Sequence, residues 1–155
     1  MVKKRMRVYA DTSVFGGARD REFGELPEPF FARVREGAVQ LVVSAVVLDE
    51  LEGAPEAVRL FFEEISPLVE RVDIGEEAYA LREAYMRAQV VGPKWQADAL
   101  HVAVGTVTGC RAIVSWNFKH IVNFKRIPLY NGVNQMEGYG PIAIHTPPEV
   151  VFDDE

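Results

Sequence analysis

The chain has 155 residues, 48% of them hydrophobic, and a formal net charge of −6. That length suits one domain and that composition supports a packed core, which excludes an intrinsically disordered chain. The acidic balance excludes a globally basic nucleic-acid binder, so any such role needs a local basic patch or a bound cation. Cys110 is the single cysteine. It rules out an internal disulfide and suits a reducing cytoplasm. Lys3, Lys4, Arg5 and Arg7 resemble the charged start of a signal peptide, but no apolar stretch of the required length follows before Asp11. No uncharged run is long enough to span a bilayer.

In chain order, Met6 to Ala10 is a short apolar run bounded by charge and predicts a buried strand. Asp11 follows it, then the hydroxyls of Thr12 and Ser13, which turn into a first helix weakened by Gly16 and Gly17. Arg19 to Glu28, with Gly24 and Pro27, predicts a surface loop or a short helix. Pro29 to Glu36 predicts a helix with proline in its first turn, stopped at Gly37. Val39 to Val43 is a second short apolar run, interrupted only by Gln40 and not alternating, the pattern of a strand covered on both faces in a parallel sheet.

Ser44 is placed to cap a helix through Glu50 and Leu51 to Gly53. Pro55 restarts a helix carrying Val58, Phe61, Phe62 and Ile65 on one face, and Pro67 ends it. Leu68 to Ile74 predicts a weak strand. Gly75 to Val91 predicts an amphipathic helix with Ala78, Leu81, Tyr85 and Met86 inward, broken at Gly92 and Pro93. Trp95 to Thr108 is the next helix, closed by Gly109, and Ala112 to Trp116 the next strand. Ile121 to Tyr130 predicts a helical turn followed by a short strand. The tail from Asn131 predicts loops with an edge strand at Ile142 to His145. Strands alternating with helices give an α/β class, a three-layer α/β/α sandwich around a mainly parallel sheet of four to five strands.

Three acids occupy corresponding places in these units. Asp11 directly follows the first strand, Glu50 stands on the helix after the second, and Asp98 sits in the first turn of the helix before the strand that Asn117 follows. In a parallel sheet such positions converge on one edge, where ligands bind. Three carboxylates in a cleft repel one another unless a hard cation neutralises them, and an all-oxygen set favours Mg²⁺ or Mn²⁺ over zinc. Taken singly, each has a plainer role: Asp11 as a helix cap, Glu50 on a solvated face, Asp98 complementing a helix dipole.

Four segments carry a resemblance. Val8 to Ser13, Ser44 to Leu51, Asp98 to Ala103, and Val114 to Ile121 (Val-Ser-Trp-Asn-Phe-Lys-His-Ile) resemble, in order and spacing, the four motifs of the PIN-domain family. The last is similar to the form found in a bacterial subgroup of VapC-type toxin ribonucleases. The resemblance implies one PIN-like domain over residues 1–155. It also implies a metal-dependent endoribonuclease that hydrolyses RNA with Mg²⁺ or Mn²⁺, the toxin of a type II toxin–antitoxin pair. Asp11, Glu50 and Asp98 would hold the metal. Thr12, Ser13 and Ser115 would assist around the metal or a phosphate. A homodimer and a small antitoxin partner are implied as well, and no membrane.

Asn117 stands where many members of the family carry a fourth acid, and its carbonyl oxygen is the substitute it offers. That departure keeps open a module of the same fold with weakened chemistry, binding RNA or protein. His101 lies on the face of Asp98, either as a supporting partner of the site or a substrate contact, or packed beneath the cleft. Lys119 and His120 are candidate phosphate contacts. Together with Lys125, Arg126, Trp116, Phe118 and Phe124 they interleave basic and aromatic residues in the manner of single-strand binders, or form a solvated loop over buried aromatics. Trp95 and Tyr85 read as core or interface residues.

Overall fold

The computed structural model describes residues 5–18 and 29–150; the segment from Arg19 to Glu28 lies outside them. Five strands form one sheet: β1 (Met6–Ala10), β2 (Val39–Ser44), β3 (Val69–Val72), β4 (Ala112–Val114) and β5 (Ala143–His145). Their order is β3-β2-β1-β4-β5 and every pairing is parallel. The outward order from β1 reverses direction between β2 and β4, so the carboxyl ends of β1 and β4 flank a switch point. Val8, Tyr9 and Ala10 are fully buried. This explains why β1 is apolar without alternation from Val8 to Ala10.

Helices α1 (Ser13–Ala18), α2 (Pro29–Glu36), α3 (Ala45–Glu52), α4 (Glu56–Ile65), α5 (Glu76–Arg87), α6 (Gln96–Val107) and α7 (Arg126–Met136) complete a three-layer α/β/α sandwich. α5 packs on α6 and α7, while α1 and α3 pack on α4. The second group is held by phenylalanines. Phe15 meets Phe62 edge-on at 5.1 Å, and Phe31 meets Phe61 at 4.8 Å. Such pairs add about 0.5–1.5 kcal/mol each beyond their burial. They fix α1, and with it the turn that follows Asp11.

Gly105 sets the approach of α6 to the sheet. A Cβ there would lie 2.7 Å from Ile113 Cγ1 and 3.2 Å from Tyr9 Cβ. Without one, the helix sits against β1 and β4. Asp98 and His101, seven and four residues earlier on the same helical face, are carried onto the sheet edge.

The last quarter of the chain departs from the sequence expectation. Residues 126–136 form α7 rather than a short strand followed by loop. Pro128 falls in the first turn, where its missing N–H costs nothing. Gly132 is outweighed because Tyr130, Val133 and Asn134 are buried on one face. Predicted ends shift elsewhere. β4 stops at Val114 instead of Trp116, and α5 stops at Arg87 because Gln89 takes a left-handed conformation at φ 58.

Candidate active site

Parallel pairing puts Asp11, Ser44 and Ser115 at one edge. Ala10 is level with Val114, so Asp11 and Ser115 emerge side by side. Asp11 is only 4% exposed. Its Oδ1 accepts from Ser13 Oγ at 2.6 Å and its Oδ2 from Ser115 Oγ at 2.7 Å. Each serine also accepts a backbone N–H, from Trp116 and from Asn117 respectively, at 2.9 Å. Burial pushes the Asp11 carboxyl above its ordinary range and the charge of Asp98 adds to this. His101 and the two serine hydroxyls oppose it.

Glu50 is held differently. Its Oε1 accepts from His101 Nε2 at 2.7 Å and from Thr12 Oγ1 at 3.0 Å. The hydrogen bond from His101 holds this carboxyl below its usual range, against a partial burial penalty. His101 is itself buried, and its Nδ1 lies 2.7 Å from the Tyr9 hydroxyl, which lies 2.8 Å from Ser44 Oγ. Burial pushes the Tyr9 phenol far up, so it stays protonated. One arrangement of the protons satisfies every atom: Ser44 donates to Tyr9, Tyr9 to His101 Nδ1, and His101 Nε2 to Glu50. Ser44 stands at the N-cap of α3 as expected, but its hydroxyl makes no cap bond there because it serves Tyr9.

Asp98 pairs with His120, Oδ2 to Nδ1 at 3.0 Å. His120 is buried and stacks on the ring of Trp95 at 4.2 Å and 27°. Lys119 Nζ lies 5.6 Å from the centre of the same ring. The Asn117 side-chain oxygen accepts the backbone N–H groups of Lys119 and His120, at 3.2 and 3.0 Å. That oxygen, offered by the sequence as a neutral substitute ligand, is thus engaged in the turn that carries His120 to Asp98. The turn is tied down from below, where Tyr130 donates to the carbonyl of His120 at 2.9 Å. Phe118 and Phe124 are exposed, not buried beneath the loop.

The sequence therefore names residues that share one neighbourhood. Asp11, Thr12, Ser13, Glu50, Asp98, His101, Ser115, Asn117 and His120 are joined at this edge by hydrogen bonds or charge. Missed were Tyr9, Ser44 as its partner, and Trp95 as the platform for His120. A tyrosine inside an otherwise aliphatic buried strand was the available signal for the first, since a buried phenol needs a hydrogen-bond partner.

The donors present suit a hard divalent cation in kind. They are oxygen-bearing, and Asp11 and Asp98 are close enough for their charges to raise the proton affinity of Asp11. Their arrangement is a hydrogen-bonded one. Among the described residues no three His, Cys, Asp or Glu side chains are grouped to hold a metal ion. The bonds to Glu50 fall on Oε1 and the one to Asp98 on Oδ2, which leaves Glu50 Oε2 and Asp98 Oδ1 as the oxygens to offer a cation.

No family model matches the sequence, and no curated protein matches it. Among solved structures, the chain is similar to VapBC2 from Rickettsia felis bound to a DNA fragment from their promoter. The TM-score is 0.62 at 14% identity, over 91% of this chain and 98% of that one. It is also similar to VapC20 of Mycobacterium tuberculosis, a sarcin–ricin loop cleaving toxin, with a TM-score of 0.46 at 17% identity over 88% and 98%. The likeness to the first of these, at its identity one of fold, makes the sandwich described above PIN-like.

Proposed function

We propose that this protein is a divalent-metal-dependent endoribonuclease built as one PIN-like domain over residues 1–155, the toxin of a type II toxin–antitoxin pair. The observation that carries the reading is Asp11: a buried carboxylate at the end of the central strand, within range of Asp98 and linked through Thr12 to Glu50. A carboxylate in that position is costly unless its charge is used.

Asp11, Glu50 and Asp98 would hold Mg²⁺ or Mn²⁺, with Thr12, Ser13 and Ser115 fixing the carboxylates. When bound, the cation supplies charge for the phosphoryl group and a more acidic water. The side chains of the chain do the rest. His101, set by Tyr9 and Ser44, keeps Glu50 ionised and aimed. Asp98, backed by His120, is the carboxylate offered to the proton of the attacking water. Lys119, exposed and 5.6 Å from the centre of the Trp95 ring, would meet the RNA backbone, with exposed Phe118 and Phe124 on the same segment for unstacked bases. A reducing cytoplasmic setting, a homodimer and a small antitoxin complete the reading, the last by analogy with the VapBC2 assembly.

The test is cleavage of assorted RNAs by purified protein with Mg²⁺, with Mn²⁺ and with chelator, beside Asp11→Asn and Asp98→Asn. Metal-dependent cleavage lost in both variants is expected; equal cleavage by all three proteins would overturn the assignment. The engagement of every carboxylate by a hydroxyl or an imidazole favours one alternative, a weakened RNA- or protein-binding module. RNA binding without cleavage under any metal would select it.

A further inference from the structure

A second feature adjoins the Pro93–Trp95 turn, which leads into the helix that carries Asp98. A cavity of about 390 Å³ opens between the end of α5, that turn, and the starts of α6 and α7. Its size is at the small end of ligand sites, which run about 300–1,000 Å³. Met86, Val91 and Pro93 give it an apolar wall, and Gln89, Gln96 and Arg126 line the remainder.

Two observations set this cavity apart from a surface dimple. Arg126 makes no ion pair among the described residues, and its Nε is buried without a hydrogen-bond partner among them. The one acid in the lining, Glu83, is bonded to Arg82 at 3.0 Å. In a chain of net charge −6, an unpaired guanidinium in a cavity wall is a site for an anion. The second observation is Gln89. It closes α5 with φ 58, the left-handed position after a helix where glycine is the unstrained residue. The strain is retained at a residue whose side chain lines this cavity.

We infer that the cavity takes one nucleotide of single-stranded RNA, its phosphate on Arg126 and its base against the apolar wall, with the amides of Gln89 and Gln96 at the base edge. An amide carries both donors and acceptors, as a base edge does. The location deepens the ribonuclease reading and rests on it. Trp95 closes the turn between cavity and site and stacks on His120, the partner of Asp98. A nucleotide seated here would thus lie beside the strand being cut and set the register of cleavage.

The test is an amide-shift titration of the full chain, in chelator, with nucleoside 5′-monophosphates, with the matching nucleosides and with inorganic phosphate. Shifts are expected at residues 86–96 and 126 with monophosphates. Gln89→Gly removes the side chain and relieves the strained backbone; it should bind about fivefold more weakly, less than the loss of one charge-assisted hydrogen bond, while melting no lower than wild type. Arg126→Met should weaken monophosphates about tenfold and leave nucleosides unchanged. No shifts at these amides, equal shifts with inorganic phosphate alone (an adventitious anion site), or unaltered binding by both variants would overturn the proposal. The ribonuclease assay separates the two readings. Metal-dependent cleavage with a silent cavity sinks only the cavity, and nucleotide binding here without cleavage under any metal sinks only the nuclease.

Discussion

Replacing Asp11 by asparagine should stabilise the metal-free protein while removing the proposed activity. The ionised carboxylate is 4% exposed and faces the charge of Asp98, so folding places a charge where water cannot reach it. Asparagine keeps the shape without the charge. It keeps one carbonyl acceptor for Ser13 or Ser115 but turns an N–H toward the other. That loss is a fraction of the roughly 1.5–3 kcal/mol of a hydrogen bond to a charged group. Because the carboxyl sits above its ordinary range in spite of both serines, the desolvation penalty is the larger effect. A net gain of about 1–2 kcal/mol follows, which raises Tm by about 2–8 °C for a chain of this size.

The pH dependence fixes the cause. A carboxyl whose folded value lies above the unfolded one favours the folded state when protonated. Its contribution is fully present below the unfolded value of about 3.9 and is lost as pH rises through the raised folded value. The asparagine variant has no such loss. Thermal melts in chelator should therefore show the two proteins nearly equal at about pH 4 and the variant increasingly ahead as pH rises through the raised folded value. A variant less stable than wild type at neutral pH, or a gap that does not change with pH, would refute the reasoning.

Three further substitutions probe what holds the site in place. Tyr9→Phe deletes the hydroxyl between Ser44 Oγ and His101 Nδ1 and leaves both buried groups short of a partner. It should cost about 1–3 kcal/mol in a urea melt, and an unchanged midpoint would contradict the chain of donors. His101→Ala should reduce RNA cleavage about 10–100-fold, with part regained in His101→Gln, whose amide can still donate to Glu50; equal losses would leave His101 a packing residue. Gly105→Ala puts a methyl 2.7 Å from Ile113 Cγ1 and should destabilise by about 1–3 kcal/mol, read as a lower urea midpoint. Full stability of that variant would mean that α6 is not pressed against the sheet.

What could be read in advance followed the reach of each signal. The β1 run was legible because both its faces are buried, and Asp11, Glu50 and Asp98 because each sits at a fixed place relative to a strand in a parallel sheet. The support beneath them was not. Tyr9 and His101 are 92 positions apart and meet only because Gly105 brings α6 onto the sheet. α7 was hidden by Pro128 and Gly132, whose local preferences are overridden by the burial of Tyr130 and Asn134. Asn117 invited a reading as a ligand because its position was visible while the backbone N–H groups that occupy its oxygen were not. The charged segment before Pro29 stays outside the described residues.

Calorimetric titration of the purified protein with Mn²⁺, repeated on Asp11→Asn, Glu50→Gln and Asp98→Asn, bears most directly on whether these acids act as one site. A shared site predicts saturable binding by the wild type that weakens in each of the three variants, since each contributes oxygen to the same ion. Wild-type binding that survives all three substitutions unchanged would mean that these side chains meet at the sheet edge without ever holding a common cation.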